Sequence, residues 1–144
     1  MNEVTINEIR SALHGALAAA FPHITIHSEG INQQLNPPYF LIKLLRSSHQ
    51  QELGRRYRRK FPFDVQYISL AGNAAEMYQM AEHLTSALQT INVLGRSVPA
   101  IGMQFELIDG VLHFFVDFQL LIWAKSPTIP LMKTQNLEEG IIYD

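Results

Sequence analysis

The sequence predicts an α+β fold: a mostly antiparallel sheet of about four to six strands, two main helices packed on it, and an extended C-terminal arm. Three observations lead there. Two segments carry apolar residues at spacings of three and four, each opened by a capping signal. One long segment, 57–67, alternates residue by residue between apolar and polar side chains. Two further apolar runs meet at Asp109-Gly110, a strong signal for a type I′ hairpin. The chain divides into one α+β domain over 1–125 and the arm over 126–144.

The first helix opens at Thr5-Ile-Asn-Glu8, where the Thr5 hydroxyl and Glu8 carboxylate can satisfy free amides. Ile6, Ile9, Leu13, Leu17 and Ala20 then form one stripe, ending near Phe21-Pro22. Ile24 and Ile26 flank a short strand. Residues 28–38 read as a polar loop, and Tyr39 to Leu45 as a well-covered strand. Arg46 to Gly54 returns to loop chemistry.

In the alternating segment Tyr57, Arg59, Phe61, Phe63, Val65 and Tyr67 share one parity, and Arg56, Arg58, Lys60, Pro62, Asp64 and Gln66 the other. One face is therefore aromatic and one wet. Pro62 cannot donate to a ladder, which points to an edge position or a bulge. Asn73-Ala-Ala-Glu76 starts the second helix, whose stripe runs through Met77, Met80, Ala81, Leu84, Ala87, Leu88 and Ile91. The two methionines read as core filler. A short strand around Val93 precedes the hairpin strands Ile101 to Ile108 and Val111 to Trp123, the second with Leu112, Phe114, Val116, Phe118, Leu120 and Ile122 on one side. Residues 126–144 hold two prolines and scattered apolar side chains without periodicity, hence an arm without its own core.

Composition removes several function classes. At 47% hydrophobic and 17% charged, the chain is globular rather than disordered. It has no cysteine, which excludes disulfides, thiolate metal sites and cysteine nucleophiles. The N-terminal residues lack the basic and apolar regions of a signal peptide. The longest apolar stretch, Val111 to Trp123, is too short to span a bilayer and holds His113, Asp117 and Gln119. A soluble intracellular protein without membrane contact is expected.

The six histidines (His14, His23, His27, His49, His83, His113) make no ligand pair on a helix face, and no HExxH occurs. There is no Gly-x-Ser-x-Gly elbow, phosphate-binding loop or dinucleotide-binding glycine motif. Asp109 is explained by its turn. Asp117, with His113 and Gln119, reads as part of a polar sheet face or a subunit contact. No enzyme, metal or cofactor is expected.

What stands out is Arg-Arg-Tyr-Arg-Arg-Lys at 55–60, five of the chain's eleven basic residues. The chain carries −2 overall, so everything outside the run, six positive and thirteen negative, carries −7. Arg56, Arg58 and Lys60 share the wet face, about 6.5–7 Å apart by strand geometry. Arg55 belongs to the preceding turn. Arg59 has the parity of the aromatic face, so it sits at the sheet margin or pairs with a carboxylate. No recognition helix carries the charge, so sequence-specific DNA reading is not expected. Three readings stay open: a solvated face, non-specific contact with nucleic acid, or a subunit interface with acidic residues such as Glu52, Glu106, Glu138 or Glu139 of a neighbouring copy.

Four stretches carry a family likeness: Ile6-Asn-Glu-Ile-Arg10, Pro38-Tyr-Phe-Leu-Ile-Lys43, Leu53-Gly-Arg-Arg-Tyr-Arg-Arg59 and Asp109-Gly-Val-Leu-His-Phe-Phe-Val-Asp117. In order and spacing over about residues 5–124, the chain resembles the small tail terminator proteins of phages, prophages and tail-like bacteriocin particles, particularly those of Gram-positive hosts. The resemblance implies a structural protein, assembled in the bacterial host cytoplasm into a virion or tail-like particle. It implies a homo-oligomeric ring, usually hexameric, that caps the tail tube protein and offers a docking surface to the head connector or collar protein. DNA would pass through the lumen of such a ring in a true phage. The basic strip (Arg55, Arg56, Arg58, Arg59, Lys60), the Asp109-Gly110 hairpin and the C-terminal arm are the candidate surfaces; which faces tube, neighbour or lumen is left open. The alternatives are a non-specific nucleic-acid-binding accessory protein and another neck or connector component.

Overall fold

In a computed structural model of the protein, residues 4–28 and 35–123 are described. The first helix, α1 (Ile6–Ala20), begins with the expected capping box. The Thr5 backbone N–H donates to Glu8 Oε1 at 2.9 Å, and the Glu8 N–H donates to Thr5 Oγ1 at 3.3 Å. Ile9, Leu13 and Leu17 are fully buried, so this stripe joins the core. At its C-terminal end the Phe21 ring packs against Phe40 with centroids 5.3 Å apart.

The strands are β1 (Thr25–Ser28), β2 (Tyr39–Leu44), β3 (Ser48–Gln51), β4 (Arg56–Ile68), β5 (Thr90–Val93), β6 (Arg96–Ile108) and β7 (Val111–Trp123). The second helix, α2 (Ala74–Ala87), lies between β4 and β5 in the chain. Sheet order is β1-β2-β4-β7-β6-β5, with β3 also pairing β4.

Two expectations about the sheet are corrected. The sheet is mixed rather than mostly antiparallel, because β1 runs parallel to β2, Thr25 opposite Tyr39 and Ser28 opposite Ile42. Strand periodicity reports which face is buried and carries no information on direction. Among the described residues there are also seven strands rather than about four to six. The addition is β3, Ser-His-Gln-Gln, in the segment read as a loop. Its side chains are half-buried or exposed, so no apolar alternation announces it. It forms because β4, at 13 residues, outruns the six-residue β2, and β3 covers the remaining edge through Tyr57–Lys60.

Pro62 is a third correction. It lies in an interior strand with an unbroken register to β7, opposite Asp117. Its carbonyl accepts from the Leu45 N–H at 2.8 Å, just where the chain crosses from β2 to β3. In an antiparallel ladder a residue's N–H and C=O point to the same side. The missing donor of Pro62 therefore faces that crossing and not β7, and the ladder loses nothing there.

The Asn73 side chain caps α2, accepting from Ala75 N–H at 2.8 Å and Glu76 N–H at 3.4 Å. Glu76 then accepts from Tyr67 Oη and Ser69 Oγ, both at 2.9 Å, which ties the helix start to the end of β4. Burial first, then the Glu76 hydrogen bond and charge, push the Tyr67 phenol from 10.0 up to about 12. Met77 and Met80 are core residues, as their spacing predicts.

In the β6–β7 hairpin Asp109 (φ 50°) and Gly110 (φ 76°) are both left-handed, as a type I′ turn requires. β6 begins at Arg96, before the expected Ile101. Its first part pairs with β5, and a bulge between Ala100 and Gly102 separates that pairing from β7.

Both helices cover one face of the sheet. Phe40, Phe61, Phe63, Phe114 and Phe118 are the large aromatic side chains enclosed beneath them. The expected arm over 126–144 lies outside the described residues.

Candidate functional site

The face of the sheet away from the helices is built by the wet parity of β4 and β7. Arg56 lies opposite Trp123, Arg58 opposite Leu121 and Lys60 opposite Gln119. Three cations and two large apolar side chains thus share one end of one face. Trp123 is 69% exposed and Leu121 39%.

The β3–β4 turn shapes this end. Gly54 takes a left-handed φ of 61°, and Gln51 Nε2 donates to its carbonyl at 2.6 Å. The turn carries Glu52 back over the strip. Arg56 Nε donates to Glu52 Oε1 at 3.1 Å. Arg58 Nε lies 2.6 Å from Glu52 Oε2, near enough for an ion pair but misaligned for a hydrogen bond. Glu52, anticipated as a neighbour's partner, is thus engaged within its own chain. These half-exposed pairs stabilise the fold by at most about 1 kcal/mol. They orient the guanidinium groups of Arg56 and Arg58, so one carboxylate is shared between two of the three cations on this face.

The strip is not one surface. Arg55 is exposed in the turn and Lys60 is exposed on the strand. Arg59 points to the helix side, where Nη1 donates to the Val4 carbonyl at 3.0 Å. Its Cζ lies 4.9 Å from the centroid of the Phe61 ring. Arg59 takes neither position anticipated for it: its strand is paired on both sides, with His49 and Leu120 opposite, and its acceptor is a backbone carbonyl instead of a carboxylate. It fastens the segment before α1 to β4.

Asp109 and Gly110 lie at the opposite end of β7 from Trp123, roughly 40 Å away by strand rise over those 13 residues. The structure does not bring strip and hairpin together. They are separate patches.

Between them sits a polar cluster that the sequence did not disclose. Asp64 is only 5% exposed although it belongs to the wet parity. Its Oδ2 lies 2.9 Å from His113 Nδ1 and accepts from Gln66 Nε2 at 3.1 Å. Oδ1 is enclosed without a hydrogen-bond partner among the described residues. The cue was an acid inside an aromatic strand, but its histidine partner is 49 positions away and visible only once β4 and β7 are in register. Asp117, the acid the sequence did single out, stands opposite Pro62 and Gly102.

Backbone geometry adds a further feature. The β6–β7 ladder begins at the Ala100–Phe118 pair. From Gln119 to Trp123, β7 is paired with β4 on one side, and no described strand lies on the other. Such an edge presents free N–H and C=O groups.

What this face offers is charge, exposed apolar area and a strand edge unpaired by any described strand. Among the described residues, no three His, Asp or Glu side chains gather to hold a metal ion. No described helix is long and apolar enough to cross a membrane.

No curated protein matches the chain. One solved chain aligns over 87% of this chain and 99% of its own length at 16% identity and a TM-score of 0.44, a likeness too slight to argue from. A profile for the phage tail terminator proteins, by contrast, matches residues 8–130, nearly the whole of the described fold. The chain therefore belongs to the phage tail terminator protein family, structural components of phage tails.

Proposed function

We propose that this protein caps the tail tube as a homo-oligomeric ring, ends tube polymerisation and gives the head connector or collar its docking surface. It acts by complementarity and performs no catalysis. The observation that carries the reading is the match to the tail terminator family over residues 8–130. A ring built from heterologous contacts needs two different patches on every subunit. The basic end of the sheet and the Asp109-Gly110 end supply two that are distinct in charge and position. Capping follows if one side of the ring fits the tube end and the other cannot accept a further tube subunit. Assembly takes place in the bacterial host cytoplasm, and the product is part of a virion or tail-like particle.

A second reading, non-specific contact with DNA passing through the ring, draws on the positive charge of Arg56, Arg58 and Lys60 on one face. Phosphate attraction requires only such charge. It concerns one surface of the ring and does not compete with capping.

The test is size-exclusion chromatography with light scattering, alone and with tail tube protein, alongside electron micrographs of tails formed without the chain. Ring-sized particles that bind tube ends, and tails of uncontrolled length in its absence, are the expected results. A monomer that never associates with tube ends would overturn the proposal.

A further inference from the structure

We infer that the open edge of β7 beside the basic strip is the seat of the acidic C-terminal segment, residues 137–144, of a neighbouring copy. This deepens the ring reading above and rests on it, since it names the contact that joins one subunit to the next.

The described face sets three requirements for an occupant. The β7 edge from Gln119 to Trp123 calls for an extended backbone that can add as a strand. Arg58 and Lys60, on the adjoining β4, call for carboxylates, because Glu52 meets only part of the positive charge gathered there. Trp123 and Leu121 call for apolar side chains to cover them.

The segment Leu137-Glu-Glu-Gly-Ile-Ile-Tyr-Asp144 meets all three. It has three carboxylates and no cation. Its Ile141-Ile142-Tyr143 core consists of β-branched and aromatic residues, which favour strands. An arginine side chain on β4 can reach across β7 to an added strand, two inter-strand spacings or about 10 Å away.

Geometry favours a neighbour over the same copy. In its own subunit the segment would have to turn back against the strand just completed, across residues 124–136. Hairpin connections are commonly about two to five residues, and this one would contain Pro127 and Pro130. Residues 124–136 can bridge at most about 45 Å by backbone dimensions alone. That suffices to reach the next subunit of a ring. Each copy then gives one segment and receives one, and the ring closes with no β7 edge left open.

The test applies a zero-length carbodiimide crosslinker, which joins lysine to carboxylate, to the full-length chain. The expected result is a ladder of covalent dimers and larger species on a denaturing gel, with joined peptides from those bands mapping Lys60 to Glu138 or Glu139. The same joined peptides confined to the monomer band would mean docking within one copy and would overturn the inference. Oligomers with no such peptide would overturn it while leaving the ring reading intact. A chain monomeric by light scattering would remove both. If the joined peptide is absent and the strip binds duplex DNA instead, the strip serves nucleic acid and the inference falls.

A charge exchange gives a second measurement. Arg58→Glu with Lys60→Glu, and separately Glu138→Lys with Glu139→Lys, should each shift the chain from ring to monomer with unchanged circular dichroism. All four substitutions together should restore the ring. Failure of the combined variant to recover, or no shift in either pair, would overturn the inference.

Discussion

Arg58 and Arg59 are neighbours in β4 and have opposite duties. Arg58 lies on the open face beside Glu52 and Leu121, where it shapes a surface. Arg59 reaches the helix side, lies over Phe61 and holds the Val4 carbonyl, where it shapes the fold. The difference extends along the strand, with Phe61, Phe63 and Val65 fully enclosed on one face while Lys60 stands in solvent on the other. A strand's period of two lets adjacent residues serve the core and the surface independently. Substitutions on the two faces should therefore report on different measurements.

The sharpest separation should come from the core face. Phe114→Ala removes a fully buried ring and should cost about 3–5 kcal/mol, read as a lower denaturant midpoint. A loss below about 1 kcal/mol would mean that this face is not the core.

The next effect concerns pH. The Tyr67 phenol titrates at about 12 in the fold against 10.0 when unfolded. Below pH 10 it is neutral in both states, and its contribution is fully present. Between 10 and about 12 the unfolded chain loses the proton first, so stability declines by roughly 2–3 kcal/mol across that window. Tyr67→Phe should flatten this part of the melting-temperature profile, and an unchanged decline would assign it to another group.

Arg59→Met should lower stability by about 1–2 kcal/mol, since it frees a partly buried carbonyl and removes a cation–π contact. Arg58→Met should stay within about 0.5 kcal/mol of the parent and weaken ring formation instead. Equal effects on unfolding would abolish the distinction between the faces. Reversing Arg56, Arg58 and Lys60 together to Glu should leave the folded monomer's melting curve nearly unchanged while tail completion fails. Normal tails from that variant would show that the strip is solvent-facing only.

The elements legible in the sequence are those whose cause is local. Both helix caps, both apolar stripes and the Asp109-Gly110 turn depend on residues within a few positions of one another. What was hidden depends on pairing at a distance. β3 has no apolar pattern and exists because β4 leaves an edge uncovered. The direction of β1 is set by how the chain returns, not by its composition. The candidate site divides in the same way. Alternation placed Arg56, Arg58 and Lys60 on one face, whereas Arg59's acceptor lies 55 positions away and Asp64's histidine 49.

The pairing of β4 with β7 also has a consequence in time. Arg56 finds its partner Trp123 only after α2, β5 and β6 have intervened in the chain. Ladders closed over such separations form slowly, because the entropy of the loop is lost before any contact compensates for it. On the ribosome β4 must wait for nearly all of the described chain to be synthesised. The face carrying the strip and the β7 edge is therefore completed late in synthesis, together with the closing of the core beneath it.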